Sequence, residues 1–317
     1  MVKYTIKRLI QSVFTVLLVV SIVFLLLRLM PTDYYFTEEE LIKLTDEQKQ
    51  DRLQAGGFLD PSYEQLFRFY KQLILKGDLG VSHRIQTNTP VVKLIAAKFT
   101  ISMRLGLIAL SISLFLGVIM GIVQARFKDG IFDHIGTAYT VFVNAVPHLV
   151  SYSLILAFGA RVLGLPSMYS MRKPEITSIL PIVCLAIGSV AGYMLWTRRY
   201  MVDELNKDYI RLAKLKGLST HNVMIHHVLK NAFVPLAQYL PYSILLTVGG
   251  SLLVERFFSV PGMGPLLTDA ISRYDTSVVQ GLVMLYASLG IMGVFLGDVL
   301  MTLIDPRIRL TGKGGTR

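Results

Sequence analysis

The sequence predicts an all-α protein that crosses a membrane six times, and three observations lead there. First, 53% of the 317 residues are hydrophobic and only 17% are charged, with a mean hydropathy of +0.54. A soluble domain carries about a quarter charged residues. Second, the charges are segregated, which leaves six runs free of Asp, Glu, Lys and Arg: Leu9–Leu27, Leu105–Ala125, Ile135–Ala160, Ile176–Thr197, Asn231–Val254 and Thr276–Gly297. Each is close to or beyond the roughly 20 residues that a helix needs to cross a hydrocarbon core. Third, lipid offers no partner to a peptide group, so each run must close its own hydrogen bonds as a helix. One such run also suits a buried core helix of a soluble protein; six in one chain do not.

The first run follows Lys3, Lys7 and Arg8, as a secretory signal would. It is longer than an ordinary apolar signal core, and no small-residue cleavage pattern follows Arg28-Leu29-Met30-Pro31, so it is expected to stay as the first span. The single cysteine, Cys184, sits mid-span and has no partner for an internal disulfide; packing is its expected role.

The formal charge of +11 is distributed like a membrane topology rather than a nucleic-acid face. With six spans both termini share one side, and the termini and short loops on that side hold sixteen basic residues against four in the two short loops opposite. Lys and Arg accumulate in short cytoplasmic loops, so both termini are expected in the cytoplasm. Residues 31–99 add nine basic residues outside, but a segment this long translocates largely regardless of its charge.

This divides the chain into an N-tail with the first span (1–30), an extracytoplasmic helical segment (31–99), a five-helix membrane core (100–306) with a cytoplasmic loop at 198–231, and a cytoplasmic tail (307–317). Within the outer segment, Thr37-Glu38-Glu39-Glu40 reads as a capping box opening a polar helix that stops near Gly56-Gly57. Asp60-Pro61 supplies a cap and an N1 proline for a second helix ending at Gly77, and Thr89-Pro90 starts a third, short one. The second helix carries an apolar stripe that suits other protein or a membrane surface. In the spans, Gly117 and Gly121, Gly188 and Gly192, and Gly293 and Gly297 are small pairs at four-residue spacing, expected to pack helices within the subunit. Pro147, Pro181, Pro235 and Pro241 are candidate kink points.

Several chemistries are missing from the sequence. Gly312-Lys313 lacks the earlier glycine of a phosphate loop, and no His-Glu-x-x-His or cysteine pair is present. His221, His226 and His227 have no supporting carboxylate or thiolate, so a solvated role is expected rather than a metal site. Glu255, Arg256, Asp298 and Asp305 stand at the ends of runs, not mid-bilayer where ion-coupled transporters keep their carboxylates. The expectation is a membrane protein with no catalytic, cofactor or metal residues of its own, with any energy entering through its cytoplasmic face.

The most charged short loop is Arg198–Lys230. Asp208, Tyr209, Arg211, Ala213, Lys214 and Lys216 fall on a short helix ended by Gly217 at a C′ position, and Ser219 or Thr220 caps the helix that follows. Here DYIRLAKLKGLS with downstream NAFVPL resembles the cytoplasmic signature of ABC importer permeases, with Leu215 where many members have a second alanine. KRLIQSVFTVLLVVSIVFLLLRLMP, GDLGVSHRIQTNTPV, VERFFSVPGMGPLLTDAI, YDTSVVQGLVML and LIDPRIR are similar, in order, to blocks of the B-type permeases of dipeptide and oligopeptide ABC importers. Thr32-Asp33-Tyr34 departs from the Gly-Asp-Pro expected after Pro31.

The resemblance implies a type I ABC importer permease fold and a role as half of a peptide pathway. Asp208, Tyr209, Arg211, Ala213, Lys214, Lys216 and Gly217 would form the helix that couples to the ATPase. The implied partners are a homologous second permease, two ABC ATPase subunits that hold ATP and Mg, an extracytoplasmic peptide-binding protein and membrane lipid. Rival readings are an ABC permease for nickel or an oligosaccharide, and a stand-alone ion-coupled transporter.

The topology is testable directly. A cysteine at Ser62 is expected to react with an impermeant thiol reagent in intact cells; reaction only after lysis would invert the orientation.

Overall fold

The computed structural model describes residues 2–304 apart from 31 and 37, and not the side chains of 2–4, 33, 34 and 38. The cap expected at Thr37, the run-end carboxylate Asp305 and the tail at 307–317 therefore lie outside the described residues. What is described is nearly all helix. Helix α1 (Val2–Leu27) leads through a 3₁₀ turn (Thr32–Tyr35) into α2 (Glu38–Lys43), α3 (Asp46–Ala55) and α4 (Ser62–Lys76). The polar helix is thus two pieces. Its capping box forms at Thr45, whose hydroxyl accepts from the Gln48 N–H while the Gln48 side chain accepts from the Thr45 N–H. Pro61 stands one position before the first helical residue of α4, and Gly77 ends that helix at φ +62°.

Thr89-Pro90 stands directly before the helix that leads into the second span, as expected, but that helix is long and continuous with the span rather than short. Strand β1 (Val81–Ser82) pairs antiparallel with β2 (Thr89–Pro90), and the 36-residue α5 (Val91–Arg126) starts immediately afterwards. At 1.5 Å per residue α5 is about 54 Å long, well beyond a core of ~30 Å. Its first turns, with Lys93, Lys98 and Arg104, extend the charge-free part that begins at Leu105.

The third apolar run is broken. Helix α6 (Ile131–Ala145) and α7 (His148–Arg161) meet at an angle of 110°. Pro147 lacks the N–H that would continue the ladder and pushes Val146 into an extended conformation (φ −82°, ψ 128°). Among the described residues five helices are long and apolar enough to cross a membrane, and six crossings result when α6 and α7 are taken as one bent span.

The remaining elements are α8 (Pro174–Thr177), α9 (Ile179–Leu205), α10 (Asp208–Leu215), α11 (Thr220–Asn222), a π-helical stretch (Val223–Leu229), α12 (Lys230–Val248), α13 (Leu252–Phe257), α14 (Met263–Ser272) and α15 (Thr276–Ile304). Pro181 sits in the first turn of α9, where no N–H is required. Pro235 and Pro241 lie inside α12 without ending it, and they withdraw donors from the carbonyls of Asn231 and Ala237.

Two helix pairs organise the bundle: α5 on α9, and α12 on α15, with α1 laid against α15. Two glycine pairs explain the close approach. A methyl group on Gly117 would stand 2.6 Å from Tyr193 Cβ, and one on Gly121 2.6 Å from Thr197 Cβ. One on Gly293 would stand 2.6 Å from Tyr242 Cα, and one on Gly297 would strike the Gln238 carbonyl. Gly188 and Gly192 behave differently: a methyl group on either meets nothing within 4 Å, so this pair does not pack helices within the subunit.

Gly117→Val should therefore destabilise by about 1–3 kcal/mol through overpacking, whereas Gly192→Ala should lie within about 0.5 kcal/mol of the native protein. Thermal unfolding of the purified protein in detergent compares the two; equal effects would contradict this packing.

Candidate functional site

At the end of α9 the chain turns through a compact corner. Lys207 is extended (φ −73°, ψ 146°) and starts α10, Asp208 lies in its first turn and Lys214 in its last, both signs matching the helix dipole. Ile210 is fully buried and Ala213 nearly so, packed with Met201, Val223, Met224, Val228 and Ala125. Tyr209 ties the corner together. Its hydroxyl donates to the Glu204 carboxylate and accepts from the Asn231 side-chain amide at 2.7 Å. Partial burial and then the bond to Glu204 push this phenol up to about 12, so it stays protonated at any physiological pH.

Gly217 ends the helix at φ +79°. Its N–H donates to the Lys214 carbonyl at 3.0 Å and that of Leu218 to the Ala213 carbonyl at 3.3 Å, which closes the last carbonyls in a left-handed stop. Ser219, not Thr220, caps the following turn by accepting from the Asn222 N–H.

The seven residues singled out in the sequence thus separate into two groups. Tyr209 and Ala213 face the protein or bond to it, and Gly217 shapes the exit. Asp208, Arg211, Lys214 and Lys216 are exposed, with only a loose 3.7 Å pair between Arg211 and Asp208. Sequence reasoning passed over Leu212 and Leu218 and noted Leu215 only as a departure from the family pattern; all three stand exposed beside these charges, Leu215 at 83%. The signal was present: Ile210 and Ala213 mark the inner face, so leucines at 212 and 215 must point away from it. The histidines remain apart, and among the described residues no cluster of His, Cys, Asp or Glu suits a metal ion.

One arginine of the charged loop is not a loop residue. Arg198 lies in α9, and its Nη2 meets Asp133 Oδ2 at 2.6 Å, with Asp133 buried at the start of α6. This pair fastens the bent span to the carboxyl-terminal part of α9.

Inside the bundle, α5, α9 and α12 enclose a cavity of about 630 Å³. Tyr193, Trp196, Tyr200 and Tyr239 form an aromatic wall, Gly188 and Gly192 leave the α9 face open, and the Tyr193 and Ser243 hydroxyls are hydrogen-bonded across it. A second space of about 410 Å³ continues from it past Ser189, Asn144 and His148. No Asp, Glu, Lys or Arg lines either one. The surface is therefore neutral, amphipathic and rich in hydroxyl and aromatic groups, suited to polar neutral backbone and without a fixed charge to select against either sign.

Two buried carboxylates hold the side opposite the corner. Asp275 accepts from the Ser82 hydroxyl at 2.6 Å and from the Arg84 and Ile85 N–H groups at 3.0 and 3.1 Å, joining the GDLGVSHRIQ and YDTSVVQGL segments. Glu255 accepts from the Gly264 N–H at 2.8 Å and the Ser251 N–H at 3.4 Å. A methyl group on Gly262 would stand 2.5 Å from both Glu255 Oε2 and Ser102 Oγ, which accounts for a Gly-Met-Gly turn there.

Comparison with known proteins agrees with this architecture. Residues 113–310 match the family model described as binding-protein-dependent transport system inner membrane component. The chain is 33% identical to the dipeptide transport system permease protein DppB of Lactococcus lactis subsp. cremoris, over 98% of this chain and 100% of that one. It is 31% identical to the protein of the same name from Bacillus subtilis, over 99% and 100%. It is 30% identical to the oligopeptide transport system permease protein OppB of Haemophilus influenzae, over 98% and 100%. These are transport components rather than enzymes. With the family model matched over more than half of this chain and these relatives covered nearly end to end, the chain belongs to the family of binding-protein-dependent transport system inner membrane components.

Proposed function

We propose that the chain is one permease subunit of an ATP-driven importer of dipeptides or oligopeptides, with both termini in the cytoplasm. The observation that carries this reading is the match, over nearly the whole of both chains, to permeases named for dipeptide transport. The neutral cavity between α5, α9 and α12 supports it, because peptides share a polar backbone but vary in side-chain charge. In this reading the open Gly188–Gly192 face of α9 looks towards a homologous second permease, and the two chains enclose the path between them.

The energy enters at the corner. Asp208, Arg211, Lys214 and Lys216 with the exposed leucines of α10 form the surface for an ATPase subunit, which carries ATP and Mg. Tyr209 and Ala213 fix that surface to α9 and α12, so a push on α10 is transmitted to the two helices that wall the cavity. The extracytoplasmic segment 31–99 receives a peptide-binding protein. The chain itself moves no proton and breaks no bond; it supplies shape and a path.

The coupling role rests on Gly217. No atom lies within 4 Å of a methyl group placed there, so a side chain is opposed only by the backbone's positive φ. A β-branched residue should cost on the order of 1–2 kcal/mol, too little to unfold the bundle but enough to redirect the corner. Gly217→Val is expected to insert and to co-purify with the ATPase while losing peptide uptake in proteoliposomes. Native uptake with the ATPase bound would overturn the coupling assignment.

The path has its own test. Gly192→Phe projects a ring into open space and should leave assembly and basal ATP hydrolysis intact while reducing peptide uptake by about tenfold or more, equivalent to 1.4 kcal/mol at the barrier. Uptake at the native rate would exclude this cavity from the path.

A further inference from the structure

Helix α4 carries a stripe of large apolar side chains that no described part of the chain covers. Tyr63, Phe67 and Ile74 are 69%, 71% and 76% exposed, and with Tyr70 they follow the i, i+4, i+7, i+11 spacing of one helix face. Glu64, Arg68, Lys71, Gln72 and Lys76, with Leu75 at 70% exposure among them, occupy the rest of the exposed surface. Exposure alone does not identify what lies against the stripe. Its position does.

Tyr70 donates its hydroxyl to the Leu17 carbonyl at 2.9 Å and lies 2.8 Å from the Ser21 hydroxyl, while Phe69 packs on Phe24 at 5.4 Å between ring centroids. All three α1 residues lie well inside the first apolar span, which ends at Leu27. Ser21 is six residues before that end, about 9 Å down the helix axis at 1.5 Å per residue. A phenol exposed to water has no need of a partner on a transmembrane helix; one placed in hydrocarbon does. The α4 stripe is also continuous with the outward face of α1, where Ile10, Phe14, Leu17 and Leu18 are exposed.

We infer that α4 is an in-plane membrane anchor, lying in the lipid leaflet at the carboxyl end of α1 with Tyr63, Phe67 and Ile74 in the acyl region. Its charged side chains reach back to the headgroups, and its amphipathic pattern is the one such helices use. The anchor fixes the outer segment to the bilayer independently of what is transported. It leaves α2 and α3 above the lipid surface.

Site-directed spin labels test this in the full chain reconstituted in vesicles of phosphatidylethanolamine and phosphatidylglycerol. In a Cys184→Ala background, labels are placed by Phe67→Cys, Ile74→Cys and, on the polar face, Gln72→Cys. The labels at 67 and 74 are expected to collide with oxygen in preference to a water-soluble nickel chelate and to read a depth of about 5–10 Å, with the order reversed at 72. Access of the nickel chelate at 67 and 74 equal to that at 72 would put the stripe in water. Shielding of 67 and 74 from both reagents would mean that protein covers it. Either result overturns the anchor. Tyr63→Cys repeats the measurement if one labelled variant fails to insert.

Discussion

The close approach of α5 to α9 is the constraint on which the rest of the molecule depends. In lipid, apolar side chains gain nothing by leaving one hydrocarbon surface for another, so helices associate through packing and interhelical hydrogen bonds. Gly117 and Gly121 allow α5 to lie directly on the Val190–Thr197 stretch of α9, close enough that one added carbon would collide. That contact sets both walls of the central cavity at once. It also carries the carboxyl-terminal end of α9, and with it α10, into a fixed relation to the core. The α12–α15 pair repeats the device with Gly293 and Gly297, so a small set of missing methyl groups determines the bundle.

Where the chain leaves helix, buried carboxylates take over the same task. Asp275 bonds to three groups of residues 82–85, nearly two hundred positions away, and thereby ties the segment between α4 and α5 to the start of α15. Glu255 holds the glycine turn between α13 and α14, and Asp133 holds α6 to Arg198 of α9. Each carboxylate is surrounded by donors, which is the condition for keeping such a group away from water. They lie at helix ends, consistent with a bundle whose long apolar interiors are reserved for packing and for a neutral path.

The corner and the cavity are linked by short distances along stiff elements. Tyr209 reaches Glu204 of α9 and Asn231 of α12, and the walls of the cavity are formed by those same two helices together with α5. A π-helical stretch directly precedes α12 and two prolines lie within it, both of which loosen a regular ladder. A regular α9 thus stands beside a locally irregular α12.

The sequence by itself determined the class of the protein, its apolar runs, the charge asymmetry, the left-handed stops at Gly77 and Gly217, and the family. These follow from local rules: hydrophobic length, the distribution of Lys and Arg, and the freedom of glycine at positive φ. It did not determine where partners in space would be found. Ile135–Ala160 read as one span because hydropathy counts composition, while Pro147 acts on a single hydrogen bond and an angle. Gly188 and Gly192 read like the other glycine pairs because spacing is the same whether a helix face meets a neighbour or a cavity. The capping box at Thr45 went unread, and Arg198 passed for a loop charge, because each depends on what folds beside it. The aromatic wall, the pairing of Asp275 with residues 82–85 and the seating of α4 on α1 arise from residues far apart in the chain, so only the tertiary structure decided them.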